Sequence, residues 1–454
     1  MVRFIIVFMT YSNKVESANV CDFSSCMCNV KTDMDFSETV VCSYDNRVLD
    51  KDYSLPISVH SLDLSRNNLT KVVPTELLKS NSLTELILSR NRISIIQGNS
   101  FRLPELRRLD LSDNNLETLD VFKNINKLEY LNVANNEFTT FENIKFHNLA
   151  QLKEIVLDNN NLGLSLENKN LFDRNGYGLT NKIASLSISG INLNKVHENF
   201  FVDAYNLRKL VISNNNIKDV FELPFTLEYL DLSDNPIEEI SSEDFNDLVA
   251  LKELKLNNLW IKEIEEYTFA NLPALTNLEL ERNFNLTAFS EMAFGRKVLD
   301  DADDFALERL SLKSSRLHTL DEKLLVPFGQ LLHLDLQGNF WRCDCHLVWI
   351  KQLQIPSHEY EHMRCFTPKP FFNGRVFDID AKYFVCGIKS KHVGFTIAAV
   401  TCLLTLTAIA FCIFTVPKYT TRLNYCGNIQ LPTAVYTVLP TMFPHMDVKY
   451  QTFT

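Results

Sequence analysis

Glycine is scarce in this chain, 12 residues in 454, and no glycine-rich loop able to cradle a phosphate occurs. No nucleophile elbow is present either. The ten histidines read as scattered, with His333 as a rim residue rather than a base. No catalytic residue, metal or cofactor is therefore expected, and an enzyme is not the reading. Excess positive charge is also lacking: the formal net charge is -11. Residues 1–18 contribute +1 and residues 417–454 contribute +2, which leaves -14 for the stretch between them. That balance excludes nucleic acid and anionic lipid as main ligands and favours a partner with basic patches. No room exists for an immunoglobulin module between Cys386 and Val393. The 38 residues from Pro417 to Thr454 are too few for a folded signalling domain.

What the chain has instead is one phrase written twelve times between Ser61 and Trp341: leucine, any, leucine, any, any, asparagine, any, leucine. Leu62-Asp63-Leu64 with Asn67 and Leu69 is one copy, and Leu109-Asp110-Leu111 with Asn114 and Leu116 is another. Other copies open at Leu86, Leu131, Ile155, Leu186, Leu210, Leu230, Leu254, Leu278, Leu310 and Leu334. Most spacings are 22 to 24 residues, the signature of the leucine-rich repeat. Period-two alternation turns both leucines inward and the residues beside them outward. One unit cannot bury its apolar face, so the units must stack. The expected fold is an α/β leucine-rich repeat solenoid, a curved horseshoe with a parallel sheet on its concave face. The inward asparagine should satisfy backbone groups at each turn. Ile191, Leu259 and Ser315 replace it in three repeats, where the turn should be less regular.

Nine residues before the first strand leucine stand Phe122, Phe146, Phe201, Phe221, Phe245 and Phe269, with Leu77, Tyr177 and Leu325 in the same place elsewhere. An aromatic column on the return side is core packing. Two spacings are long: 31 residues from Ile155 to Leu186 and 32 from Leu278 to Leu310. Each insert should loop out of the stack. The first carries the turn signal Asn175-Gly176-Tyr177-Gly178 and the second the run Asp300-Asp301-Ala302-Asp303-Asp304. The acidic run is read as a solvated face, with a loose calcium site as the alternative.

Eleven cysteines decide the compartment. Cys21, Cys26, Cys28 and Cys42 precede the repeats, and Cys343, Cys345, Cys365 and Cys386 follow them. End repeats expose apolar cores and need caps, and a small cap needs staples worth roughly 2–4 kcal/mol each. The cysteines alone allow three connectivities per cluster. A zinc site at Cys343-Asp344-Cys345-His346 is the rival reading.

The first cluster is similar to the N-terminal flanking module of extracellular leucine-rich repeat proteins. The stretch Asn339-Phe340-Trp341-Arg342-Cys343-Asp344-Cys345-His346-Leu347-Val348-Trp349-Ile350 resembles their C-terminal flanking module, with Phe340 where the family usually has proline. The resemblance covers about residues 21 to 388 and extends to Toll-, Connectin- and Slit-like repeats, without an intracellular signalling domain. It implies that first pairs with third and second with fourth in each cluster: Cys21 with Cys28, Cys26 with Cys42, Cys343 with Cys365, and Cys345 with Cys386.

Val393 to Val416 are 24 residues without a charge, enough to cross a ~30 Å hydrocarbon layer as one helix. The expected organisation is a signal peptide at 1–18, an N-terminal cap at 19–56, repeats at 57–341, a C-terminal cap at 342–388, the membrane helix at 393–416 and a short disordered cytoplasmic tail at 417–454. That is a type I plasma-membrane protein. Asn68-Leu69-Thr70 and Asn285-Leu286-Thr287 are glycosylation sequons. In the tail, Tyr436 with Leu439 and Tyr450 with Phe453 look like sorting signals for a clathrin adaptor. Cys426 is a palmitoylation candidate.

The outward strand positions line the concave face. Ile87, Tyr130, Glu154, Val156, Val211, Tyr229 and Glu253 are the ligand-binding candidates, with tyrosine favoured because it pairs contact area with a polar tip. The function expected is recognition of an extracellular or cell-surface protein, in an adhesion or receptor role. The alternatives are an accessory subunit acting in cis on another membrane protein and an innate-immune pattern-recognition co-receptor. Dimerisation stays open.

Overall fold

A computed structural model describes residues 18–28, 38–42, 44, 48–49, 53–146, 149–167, 169–172, 179, 182–303, 305–386 and 400–410. Two units divide the chain, residues 1–386 and 387–454.

In the first unit the twelve leucine phrases form strands of one sheet. They run from Val59–Asp63 and Glu85–Ile87 to Arg309–Ser311 and His333–Asp335, each parallel to the next and in register at the first leucine. Leu62, Leu86, Leu109 and Leu131 are completely buried, as are the second leucines Leu64, Leu88 and Leu111. The sheet has fourteen strands because the N-terminal cap adds two. Glu38–Cys42 runs parallel to Val59–Asp63, and Cys26–Cys28 folds back antiparallel upon it. The cap thus covers the first core and extends the sheet. Ala18–Asn19 pairs with Tyr53–Ser54, so Ala18 belongs to this cap.

Each buried asparagine ties its repeat to the one before. Asn91 accepts from the backbone N–H groups of Asn67 and Leu69 (2.9 and 3.0 Å) and donates to the carbonyls of Leu64 and Leu88 (3.0 and 2.9 Å). Asn114, Asn136 and Asn160 repeat the pattern, as do Asn215, Asn235, Asn283 and Asn339 further on. The rungs are missing at Ile191 and Leu259, and Ser315 offers only a 3.4 Å hydroxyl bond to the Leu280 carbonyl. The turns there are nevertheless as regular as the rest, contrary to expectation. The residue before the asparagine position is left-handed in all twelve repeats, with φ between 51 and 73°. Gly190, Asn258 and Ser314 hold it where the asparagine is lost. A backbone bond across repeats also survives, Trp260 N–H to the Ile237 carbonyl (2.9 Å) and Arg316 N–H to the Leu286 carbonyl (3.0 Å). The backbone sets the turn, and the asparagine adds a cross-tie to it. At Gly190 a Cβ would collide with Asn159 Oδ1 and lie 2.9 Å from Asn214 Nδ2, so a larger residue there would have to displace those two side chains.

The return side carries short 3-10 turns and four-residue helices in place of longer helices. Its aromatic column is stacked as the spacing implies: Phe122 on Phe146 at 6.4 Å, Phe201 on Phe221 at 5.8 Å, Phe245 on Phe269 at 6.2 Å. In the two long repeats the column uses other rings. Phe172 meets Phe201, and Phe294 meets Phe269. Tyr177 lies outside the described residues, as do residues 173–178 of the first turn signal. The described part of the second insert folds back rather than looping out. Phe305 packs edge-on against Phe294, and Ala302 and Leu307 are buried.

Cysteine bridges close both ends: Cys21–Cys28, Cys26–Cys42, Cys343–Cys365 and Cys345–Cys386. Cys345, His346 and Cys386 lie close enough to hold a metal, but both thiols are consumed in one disulfide, which removes the zinc reading. The C-terminal cap buries Trp341 and Trp349, whose indole N–H groups donate to the Leu336 and Leu320 carbonyls (2.9 and 3.2 Å). Glu359 finishes the job at the exposed sheet edge: its buried carboxylate accepts from the Leu334 N–H at 2.8 Å.

In the second unit residues 400–410 are helical and exposed. Among the described residues no helix is long and apolar enough to cross a membrane. The rest of the expected span, 393–399 and 411–416, lies outside the described residues, as do residues 1–17, Cys426, Tyr436, Leu439, Tyr450 and Phe453.

Two outcomes test the stack. Asn114→Ala should cost about 1–3 kcal/mol in chemical denaturation of the repeat unit, because it strips partners from buried backbone groups. Ser315→Asn, which restores a rung, should cost nothing. Cys345→Ser should sharply reduce secretion, since an opened cap uncovers the last core.

Candidate functional site: the concave face

Six adjacent strands, from Tyr130–Asn132 to Glu253–Lys255, carry six of the seven candidate residues. In register across them lie Tyr130, Glu154, Ser185, Lys209, Tyr229 and Glu253. The column two residues on carries Val156, Ser187 and Val211 side by side. Tyr130 and Tyr229 are four strand steps apart, roughly 19 Å at the usual strand spacing. Ile87 stands apart, two strands before Tyr130 and between Asp63 and Asp110.

Both tyrosines are half-buried rather than fully open to water, because a cation lies over each ring. The Arg108 guanidinium sits 4.0 Å from the Tyr130 centroid and the Lys209 ammonium 5.0 Å from that of Tyr229. Burial raises the pKa of both phenols, and the neighbouring carboxylates Asp110 and Asp231 push the same way. At neutral pH both hydroxyls keep their protons.

Aligning the strands shows a duplication that single-column reading missed. Arg108–Tyr130–Glu154 and Lys209–Tyr229–Glu253 are the same cation–tyrosine–carboxylate triplet on three successive strands. One residue earlier the same two regions carry Arg107–Glu129–Lys153 and Arg208–Glu228–Lys252. There the central glutamate is clamped on both sides. Lys153 lies 2.7 Å from Glu129 and Lys252 2.7 Å from Glu228, with Arg107 and Arg208 in direct contact on the other side. Hydrogen bonds from Lys153 and from Lys252 are the leading cause that holds these two carboxyls below the ordinary glutamate range. The signal was in the sequence as Arg-Arg, Glu-Tyr, Lys-Glu followed by Arg-Lys, Glu-Tyr, Lys-Glu at the same strand position.

Several outward residues are spoken for by the fold. Asp63, Asp110, Asn132, Asp231 and Asp335 each accept the backbone N–H two residues on, at 2.8 to 3.0 Å. Glu85 is held by Ser61 and Arg108, and Lys255 by Glu279. At the C-terminal end, Asn277, Glu279, Arg309, His333, Asp335 and Glu359 border an open concavity of about 390 Å³.

One pentapeptide has the spacing of a zinc hydrolase, which the expectation of no catalytic constellation passed over: His358-Glu359-Tyr360-Glu361-His362. The fold takes it out of play. The helix is only Ser357–Tyr360, and the would-be base Glu359 is engaged by His333 Nδ1 (2.7 Å) and the Leu334 N–H. Among the described residues Asp300, Asp301 and Asp303 also fail to converge as a calcium site requires.

Residues 57–116, 104–162 and 225–284 match the leucine rich repeat family model. The chain is a leucine-rich repeat protein with disulfide-bonded caps. It is similar to Tsukushi of Gallus gallus, 29% identical over 293 residues, which cover 63% of this chain and 69% of Tsukushi. Chaoptin of Tribolium castaneum is 30% identical over 318 residues, covering 66% of this chain and 39% of chaoptin. Nephrocan of Mus musculus is 30% identical over 182 residues, 36% of this chain and 35% of nephrocan. The chain therefore spans well under half of the last two. Leucine-rich repeat proteins of this kind are typically binding proteins without enzymatic activity. Four disulfides place the repeats outside the cell, where such bonds persist.

The clamped glutamates predict a pH dependence. A depressed carboxyl pKa contributes stability above the unfolded value, near 4.3 for glutamate, and loses it as pH falls through the lower folded value. A Glu129→Gln, Glu228→Gln double variant should melt slightly below the parent at pH 7. The two melting curves should converge in strong acid, and added salt should narrow the gap at pH 7.

Proposed function

We propose that this chain is a cell-surface recognition protein that binds a protein ligand through the concave face, centred on Tyr130 and Tyr229. The observation that carries this is the doubled cation–tyrosine–carboxylate triplet, with Val156 and Val211 on strands that lie between Tyr130 and Tyr229. Each triplet offers an aromatic surface preset by its cation, a hydroxyl donor and a free carboxylate beside it. Preset aromatic anchors lose little entropy on binding. Glu154 and Glu253 suit a partner with basic side chains, in line with the net negative charge. The charge-free run at 393–416 supports attachment to the plasma membrane with the repeats outside. The tail then supplies Tyr436 and Tyr450 as adaptor signals.

The test begins with a screen of extracellular proteins against the full ectodomain. With a partner in hand, Tyr130→Ala and Tyr229→Ala should each cost ~1–3 kcal/mol in affinity while expression is unchanged. Equal losses at the two sites fit two equivalent contacts. Unchanged affinity in both variants moves the site to the flanks or the convex side. Clustering of transfected cells separates adhesion in trans from co-purification with a membrane protein of the same cell. Slower antibody uptake in Tyr436→Ala and in Tyr436→Phe is the outcome expected of the sorting signal.

A further inference from the structure

Trp260 and Phe284 are each 55% exposed, on one flank of the solenoid. They stand six residues past Leu254 and Leu278, which are paired in register, so the two rings occupy one position in adjacent repeats. Elsewhere that position mostly carries residues that water solvates well, Asn115, Glu137, Asn161, Asn192 and Asn216 among them, and the ring found there in the last repeat, Phe340, packs against Phe366 of the C-terminal cap at 4.8 Å. Two large rings side by side in water are costly unless something covers them.

The next residue after Phe284 is Asn285, the acceptor of the sequon Asn285-Leu286-Thr287. Its side chain is exposed, and its Nδ2 lies 3.4 Å from the Trp260 carbonyl. The carboxamide therefore stands at the backbone of the very residue whose indole is uncovered. We propose that Asn285 carries an N-linked glycan whose first N-acetylglucosamine covers Trp260 and Phe284. The donor is a lipid-linked oligosaccharide pyrophosphate. Nδ2 displaces the pyrophosphate at sugar C1 and loses one proton, forming the N-glycosidic bond. One N–H remains on the nitrogen, free to keep its contact with the Trp260 carbonyl. A pyranose ring presents a face of C–H groups, which stacks on the electron-rich face of an indole. The glycan thus supplies from the same repeat pair the apolar cover that the protein does not.

The tryptophans make this measurable. Of the three in the chain, Trp341 and Trp349 are buried, so a neutral collisional quencher reads Trp260. The full chain is produced in glycosylating animal cells, the Asn285 peptide is mapped by mass, and acrylamide quenching is recorded. Enzymatic removal of the whole glycan from the folded protein should raise the quenching constant and shift tryptophan emission to the red. Trimming to a single N-acetylglucosamine should preserve the protection. Asn68→Gln should leave quenching unchanged, since Asn68 lies eight strands away, and Trp260→Ala should abolish the glycan-dependent part. An unmodified Asn285 overturns the proposal. So does an occupied Asn285 with the same quenching before and after removal. Concentration-dependent self-association that protects Trp260 in the unmodified protein would assign the rings to a second copy instead.

Discussion

The hydrogen bond from a buried asparagine to the backbone of the preceding repeat is the interaction on which the stack depends. A leucine-rich repeat must turn sharply after a three-residue strand, and the turn leaves N–H and C=O groups facing a core with no water in it. Asn91 and Asn114 meet that demand by accepting from one loop and donating to carbonyls of two repeats. Each rung therefore joins neighbours as well as closing its own turn. Three repeats manage without it because the left-handed residue is kept in each, joined at Leu259 and Ser315 by the loop-to-loop backbone bond. The tie is needed along the array, not at every step.

A stack held in this way has two weak points, its ends, and the two caps solve them differently. The N-terminal cap continues the sheet with a disulfide-bonded hairpin, so the first repeat strand has a backbone partner. The C-terminal cap brings side chains to the last strand: the Glu359 carboxylate takes the Leu334 N–H, and Gln337 accepts the His362 N–H at 2.8 Å. An edge strand with unpaired amides invites association with another chain, and a buried carboxylate on that edge prevents it. The same carboxylate is the residue that would have been a general base in a zinc site. Structure here spends on edge capping a carboxylate whose spacing to two histidines matches a zinc hydrolase.

The concave face inherits its layout from the stack. Parallel strands in register bring residues 20 to 32 apart in sequence side by side, so a column of outward positions becomes a continuous strip. Arg108, Tyr130 and Glu154 are 22 and 24 residues apart and act as one unit because the sheet places them on three neighbouring strands. The cation above each ring both covers it and holds it in place, and an anchor fixed in this way is preorganised for binding.

The sequence by itself determined the repeat, the inward leucines, the aromatic column and the need for caps, because period and residue type dictate which face is buried. Asn67, Phe146 and Leu230 announce their places by spacing alone. Tertiary structure decided what spacing cannot carry. It put Phe172 and Phe294 into the column in the two long repeats, since packing selects the ring that reaches rather than the one at a fixed offset. It kept the turns at Ile191 and Leu259 regular, since a left-handed backbone can stand without its asparagine. It half-covered Tyr130 and Tyr229 with cations from the preceding strand and spent Glu359 on an edge amide. These are contacts between segments distant in sequence, and only the stacked chain brings them within reach.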